Sequence, residues 1–247
     1  MAANKMIGMK ALAISLILIG YGVPAQGAAP RPAAGTGGVT GKVSFQGTKP
    51  KLPQISMAQD RVCASEQKST VYPEDGRVNS NGTLPNVFIY VKQGLGDATF
   101  KTPSTPVTLD QQRCEYQPHV LGIMVGQPLQ VLSQDPTTHN IHIMAKNNRS
   151  WNVSQQPGSP AFIRRFLHPE IMIPVKCNQH PWMKAYIGVT TNPFYAVTGK
   201  DGTFILKGLP SGHYTLEAWT ATFGTQESEV TVEADKTATV NFTFHSQ

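Results

Sequence analysis

The sequence predicts an all-β fold, and three observations support this prediction. Short segments rich in β-branched and aromatic residues recur along the chain and are bounded by Gly, Pro and Asn. Tight-turn sequences, GKDG at 199–202 and LPSG at 209–212, separate several of these segments. Beyond the N-terminal region, no long segment has the apolar periodicity of an amphipathic helix. Together these patterns are typical of β-sandwich domains.

Individual elements follow from the same signals. A turn or two of helix is expected within 57–68. Pro174 lies in the strand-like segment before Cys177, and a proline cannot donate to a sheet ladder, so we expect an edge position or a β-bulge there. The predicted strands are 38–45, 86–91, 127–133, 203–208, 213–219, 227–233 and 237–244.

The N-terminus has the features of an export signal. Lys5 and Lys10 precede the apolar run ALAISLILIG at 11–20, and small residues follow it. This order predicts a secretory signal peptide over residues 1–27. The alternative is an uncleaved anchor, although the apolar run is short for a membrane span. We therefore expect an exported protein, periplasmic or extracellular, without stable membrane insertion after cleavage.

The charge argues against one class of function, and the cysteine count leaves one thiol to be explained. The formal net charge is +6, and removing Lys5 and Lys10 with the signal leaves +4. The basic residues are scattered, which argues against nucleic-acid binding. An exported chain folds under oxidising conditions, so its three cysteines allow one disulfide and leave one thiol that needs another role.

One short segment, VKCNQHPWMKAY at 175–186, concentrates metal-binding side chains. Cys177, His180 and Met183 follow one another at intervals of three residues. A thiolate, imidazoles and a weak axial thioether form the blue-copper electron-transfer site, and a second histidine would have to come from another strand. The alternatives are a zinc site, half of a disulfide, or a core segment that binds no metal.

Two stretches resemble the cupredoxins. CEYQPHVLGIMVGQPLQVLSQDPTTHNIHIM at 114–144 looks like the first half of a cupredoxin, and CNQHPWM resembles the ligand loop of the amicyanin branch. The resemblance implies a Greek-key sandwich over 106–192 that holds one type 1 copper. It implies the ligands His139, Cys177, His180 and Met183, with Asn140 tying the first ligand strand to the cysteine loop.

Other residues of the motif receive different roles. His142 matches the second histidine of the family's His-Asn-x-His pattern, which is usually not a ligand. Gln179 stands where a proline often precedes the loop histidine. His119 is expected to be a hydrogen-bonded structural histidine. With Cys177 as a copper ligand, Cys63 and Cys114 remain to form a disulfide, the alternative being two free buried thiols.

The C-terminal part resembles a carboxypeptidase regulatory-like module of the transthyretin-like type. The resemblance rests on TGKDGTF at 198–204 and GLPSGHYTL at 208–216. We assign this small β-sandwich to 193–247. It is short for a complete module, so the N-terminal β segment, 28–105, is expected to pair with it in a composite sandwich. Two sequential domains are the alternative.

The resulting hypothesis is an exported, non-enzymatic type 1 copper protein that shuttles one electron to a partner protein. Multicopper oxidases need His-x-His pairs, which the sequence lacks. The alternative function is an extracellular copper-binding or carbohydrate-associated surface protein without redox turnover. Cupredoxins of this type expose the loop histidine, so we expect His180 at the surface with Pro181 and Trp182 as a docking rim. The alternative is that Trp182 packs inward.

Overall fold

The computed structural model describes residue 1 and residues 35–246, so the predicted signal peptide lies outside the described residues apart from Met1. Among the described residues, no helix is long and apolar enough to cross a membrane. The described residues are nearly all β, with one short helix, as predicted. In chain order the elements are β1 (Thr36–Gln46), α1 (Arg61–Glu66), β2 (Phe88–Gln93), β3 (Val107–Gln112), β4 (Glu115–Gln117), β5 (Val120–Met124), β6 (Leu129–Ser133), β7 (His139–Ile143), β8 (Trp151–Gln155), β9 (Phe162–Arg164), β10 (Glu170–Lys176), β11 (Lys184–Thr190), β12 (Tyr195–Val197), β13 (Thr203–Pro210), β14 (Gly212–Thr220), β15 (Gly224–Val232), β16 (Thr237–Thr239) and β17 (Phe242–His245).

The central part of the chain forms a cupredoxin-like sandwich. One sheet has the strand order β5-β11-β10-β7-β8, and the other has the order β4-β3-β6-β9. Most neighbours are antiparallel, but β3 runs parallel to β6 and β5 runs parallel to β11. Alternating side chains of both sheets fill a common core, which includes Leu109, Val131, Ile141 and Ile187. This core ends at the loop that carries Cys177.

A second sandwich is built from both ends of the chain. Strand β1 pairs with β13, β16 and β17, and β2 pairs with β12 and β14. Phe45, Ile89, Phe204 and Leu216 belong to its shared core. Gly41 permits the close approach of the chain ends, because a Cβ at this position would lie 1.7 Å from the Val240 carbonyl oxygen. The N-terminal strands therefore complete the C-terminal module.

Part of the segment between β1 and β2, residues 55–71, packs against the cupredoxin-like sandwich. Met57 and Cys63 belong to the buried core of the cupredoxin-like sandwich, and Ile55 and Val71 pack against it. The Ile55 N–H also donates to the Val71 carbonyl. Between these residues α1 begins at Arg61, with Asp60 as its N-cap. The predicted helix within 57–68 is thus a short turn that lies against the cupredoxin-like sandwich.

One expected strand needs correction, and the expectation for Pro174 agrees with the structure in its second alternative, a β-bulge. The predicted strand 237–244 is two strands, β16 and β17. Pro174 does not lie on an edge, because β10 has β11 and β7 as neighbours. A register shift lies just before it, between Glu170 and Ile173. The Pro174 carbonyl accepts from the Met144 N–H, but a proline cannot return the second bond, and the ladder with β7 begins at the next residue of β10.

Candidate metal centre

Three of the four predicted metal ligands meet in the interior of the cupredoxin-like sandwich. His139 begins β7, while Cys177 and His180 lie on the loop that joins β10 to β11. Their donor atoms lie within 4.8 Å of one another, and all three side chains are buried. The β7–β10 pairing brings these distant parts of the sequence together, since Val175 pairs with Ile143.

The two histidines point the same ring nitrogen at each other. Their Nδ1 atoms are 2.9 Å apart, and the ring centroids are 4.7 Å apart. Each Nε2 faces a carboxylate instead: His139 faces Asp135 at 2.8 Å, and His180 faces Asp60 at 3.0 Å. When both Nε2 atoms donate to these carboxylates, two Nδ1 lone pairs face one another. A cation between them satisfies both, so this donor arrangement fits a metal ion.

The thiol of Cys177 completes the buried donor set. Its Sγ lies 3.7 Å from His180 Nδ1 and 3.3 Å from Asn140 Oδ1. The same amide oxygen accepts from the Asn178 N–H at 2.8 Å, so Asn140 joins the start of β7 to the cysteine loop. Burial alone would raise the pKa of Cys177, but hydrogen bonds from His139 and from loop N–H groups outweigh it and lower the pKa to about 6. The thiolate form that binds metals is therefore favoured near neutral pH.

The carboxylates of Asp135 and Asp60 favour positive charge on the groups around the site. Burial disfavours the charged form of His139, yet hydrogen bonds to Asp135 and Cys177 raise its pKa to about 9. Burial also opposes ionisation of Asp60, but hydrogen bonds from Cys63 N–H and His180 hold the pKa of Asp60 below its usual range. The interior thus stabilises positive charge at the point where the donor atoms converge.

Met183 lies at the end of the same loop. Its side chain is 1% exposed and belongs to the core cluster that contains Cys177. Two backbone hydrogen bonds close the loop: Met183 N–H donates to the His180 carbonyl, and Cys177 N–H donates to the Met183 carbonyl. The thioether is therefore held in the same interior as the thiol.

The surroundings of His180 differ from the expectation of an exposed histidine. His180 is only 4% exposed, because Asp60 covers its Nε2 and the Trp182 ring lies 5.1 Å from its own. Trp182 is half-buried and donates from Nε1 to the Cys114 carbonyl at 3.1 Å. Pro181 is exposed. The expectation about His180 is wrong because the segment around Asp60 covers its edge.

A disulfide joins Cys63 to Cys114 beside this centre. It ties α1 to the turn before β4, and Asp60 is three residues from Cys63. Cys177 is the free cysteine of the described chain, and it is buried. The bond therefore holds the segment that covers His180.

The remaining histidines of the motif lie outside the donor set. His142 is half-buried, and its Nδ1 lies 3.1 Å from Asn178 Oδ1. His119 bonds to the Lys184 carbonyl and to Asp75, each at 2.9 Å. Both histidines make hydrogen bonds to protein groups, and neither is part of the group formed by His139, Cys177 and His180.

Different parts of the chain are similar to different known proteins. The carboxypeptidase regulatory-like domain model matches residues 178–245, and no curated protein sequence matches. The chain is similar to solved cupredoxin structures over part of its length. An amicyanin mutant in the cuprous state has 15% identity and a TM-score of 0.31, covering 41% of this chain and 97% of its own.

Two further solved structures show similarity of the same extent. A purple cupredoxin from Nitrosopumilus maritimus has 20% identity and a TM-score of 0.29, covering 34% of this chain and 98% of its own. A copper-containing nitrite reductase from Thermus scotoductus has 19% identity and a TM-score of 0.33, covering 40% of this chain. The present chain spans 26% of the length of that reductase.

Proposed function

We propose that this protein is an exported type 1 copper protein that carries one electron. The observation that supports this most strongly is the pair of buried Nδ1 atoms, 2.9 Å apart, beside a buried thiol. His139, Cys177 and His180 would hold the copper as equatorial ligands, and Met183 would be the weak axial ligand. Bound copper supplies a one-electron change between the cupric and cuprous states.

The protein groups around these ligands suit a carrier rather than an enzyme. His139, Cys177 and His180 are at most 4% exposed, so no substrate has direct access to the donor atoms. Asp135, Asp60 and Asn140 hold the three side chains in place. Such a fixed donor set suits electron transfer, because little rearrangement accompanies a change of oxidation state.

One copper per chain is proposed. Over residues 35–246, two other groups of side chains have donor atoms close enough to hold a metal. One contains His180 and the other contains His139, and each also contains a cysteine of the disulfide. These groups therefore surround the same centre and do not form a second one.

The decisive experiment is the visible spectrum of the purified mature protein after addition of cupric ion. A thiolate bound to cupric copper gives an intense blue or green charge-transfer colour. Reversible one-electron reduction of that form then tests the carrier role. A colourless protein with full copper occupancy would contradict the type 1 assignment.

A second candidate function is a surface protein that binds copper, or associates with carbohydrate, without redox turnover. The match to the carboxypeptidase regulatory-like domain at 178–245 favours it, because such modules often accompany extracellular adhesion and sugar-handling proteins. This candidate predicts a copper-loaded protein whose cupric form is not reversibly reduced. Voltammetry of the copper-loaded protein separates the two functions.

The axial and equatorial ligands are expected to respond differently to substitution. Met183→Gln should retain copper and shift the reduction potential, because the axial ligand is weak and mainly adjusts that potential. His139→Ala should lower copper affinity at least tenfold, since it removes one of three strong donors. Competition with a chelator and voltammetry measure these effects. Met144→Gln, at an exposed methionine, is the control and should change neither. Equal, negligible effects of the first two variants would mean that the ligand set is wrong.

A redox partner protein is proposed to dock beside Pro181 and Trp182. Trp182 contacts His180 on one side and lines an open cleft on the other, together with Tyr72 and Pro73. Aromatic residues carry much of the energy of small interfaces. Trp182→Ala is expected to slow electron self-exchange severalfold with an unchanged copper spectrum. The half-buried Trp151, on β8, provides the control variant Trp151→Ala. An unaltered rate of self-exchange would mean that Trp182 contributes to packing and not to docking.

A further inference from the structure

Asp60 lies outside the segment that resembles a cupredoxin, yet its carboxylate touches a proposed copper ligand. Its Oδ2 accepts from His180 Nε2 at 3.0 Å, across 120 positions of sequence. We propose that Asp60 is a positioning residue for His180 and lowers the reduction potential of the centre. This inference rests on the proposed copper function. It identifies a residue of the N-terminal segment that influences the reduction potential.

The position of the Asp60 carboxylate is fixed by several contacts. Its Oδ1 caps α1 by accepting from the N–H groups of Val62 at 2.8 Å and Cys63 at 3.1 Å. Its Oδ2 also accepts from the Thr137 hydroxyl at 3.1 Å. The disulfide from Cys63 to Cys114 anchors the first turn of α1 to the sandwich. The carboxylate therefore meets His180 in one defined orientation.

This contact determines which nitrogen of His180 is available to a metal. A carboxylate at Nε2 requires the proton on Nε2, which leaves the lone pair on Nδ1. That Nδ1 faces His139 Nδ1 and Cys177 Sγ. Asp60 thus selects the ligating tautomer and ring orientation before copper binds.

The negative charge also affects the two oxidation states unequally. A carboxylate hydrogen-bonded to a ligand imidazole makes that ligand more basic and stabilises the more positive metal. Cupric copper carries one more positive charge than cuprous copper, so Asp60 favours the cupric state. The Asp60 side chain is 21% exposed and that of His180 is 5% exposed, which limits screening by solvent.

Asp60→Asn removes the charge and the acceptor for His180 while it keeps the capping role. Asparagine caps helices about as well as aspartate. It has one carbonyl oxygen, however, and cannot serve both the α1 N–H groups and His180 Nε2. We expect about a tenfold shift in relative affinity towards cuprous copper, which raises the potential by about 59 mV for a one-electron couple. The thiolate charge-transfer band should remain. Asp97→Asn, at an exposed aspartate, is the control and should leave the potential unchanged.

A second variant tests the same charge in the opposite direction. Thr137→Val removes the hydroxyl that donates to Asp60 Oδ2, which leaves the carboxylate a stronger acceptor for His180. The potential should therefore fall, whereas general damage to the site has no reason to give opposite signs in the two variants. An unchanged or lowered potential in Asp60→Asn with an intact band overturns the inference. If Asp60→Asn does not fold, the inference is overturned by an unchanged or raised reduction potential in Thr137→Val.

The metal-free protein gives a readout that needs no copper. The buried His180 Nε2–H should exchange slowly with solvent, as a proton signal from the imidazole ring, and this signal should be lost in Asp60→Asn. Rapid exchange in the wild type would overturn the inference. A wild-type protein that never shows the charge-transfer band contradicts the proposed function instead, while the imidazole proton still reports on the Asp60 contact.

Discussion

Cys177→Ser is expected to abolish the intense visible absorption of the cupric protein. The band arises from charge transfer out of the thiolate sulfur, and a serine oxygen at the same position cannot replace that covalent bond. The Cys177 Sγ lies beside His180 Nδ1 in the buried site, and its pKa of about 6 favours the thiolate that copper requires. Absorption spectra of copper-loaded wild type and variant, at matched copper occupancy, measure the effect.

Gln179→Ser is the matched control for this substitution. It places a serine two positions away on the same loop, at an exposed side chain. Its spectrum should keep the intense band, because no proposed ligand is altered. An intense band that persists in Cys177→Ser would show that the thiolate is not the source of the colour. Loss of the band in both variants would point to the fold of the loop rather than to its chemistry.

The sequence predicted most of the candidate donor set because most of it is local. Cys177, His180 and Met183 lie on one loop, so their spacing made a metal site one of the alternatives, and the resemblance to the cupredoxins favoured it. His139 is distant in sequence and was identified by the likeness of its strand to a cupredoxin. The structure brings the donor atoms of His139, Cys177 and His180 within 4.8 Å of one another. The β7–β10 pairing that does so depends on a sheet register, which a short motif does not specify.

The sequence did not predict what covers His180. Asp60 belongs to no motif, and its sequence context indicates only a possible helix start. The signal that could have located it is the predicted disulfide. Asp60 precedes Cys63 by three residues, so a bond from Cys63 to Cys114 necessarily brings this carboxylate to the cupredoxin-like sandwich. Combining the cysteine pairing with the helix cap would have placed Asp60 beside the sandwich that contains His180.

The two sandwiches illustrate a second limit of predicting this fold from its sequence. The alternating pattern of β1 and the turns of the C-terminal module predicted individual strands well. The segment between β1 and β2 has little regular structure, and its place depends on a few buried side chains such as Met57 and Cys63. Such contacts leave no periodic pattern in the sequence. For this reason residues 55–71 were expected with the other N-terminal residues, whereas they pack against the cupredoxin-like sandwich.

Removal of the disulfide is expected to have the largest effect on stability. The double variant Cys63→Ala/Cys114→Ala should lose about 4 kcal/mol of unfolding free energy, the loop-closure value for a loop of this length. The bond spans 51 positions, and both cysteines are fully buried. Denaturant titration of the metal-free protein measures the loss. Wild type treated with a reductant should show a similar decrease.

The same variant links stability to the metal centre. Once α1 is no longer anchored, Asp60 holds His180 less firmly, so the reduction potential should move towards that of Asp60→Asn. Cys177→Ser is the matched control, because it removes the third cysteine and leaves the disulfide intact; its metal-free form should lose much less stability. A double variant as stable as the wild type would show that the anchor is redundant. A destabilised variant with an unchanged potential would mean that the bond supports the fold alone, since Asp60 would then keep its place through the α1 cap and the Thr137 hydroxyl.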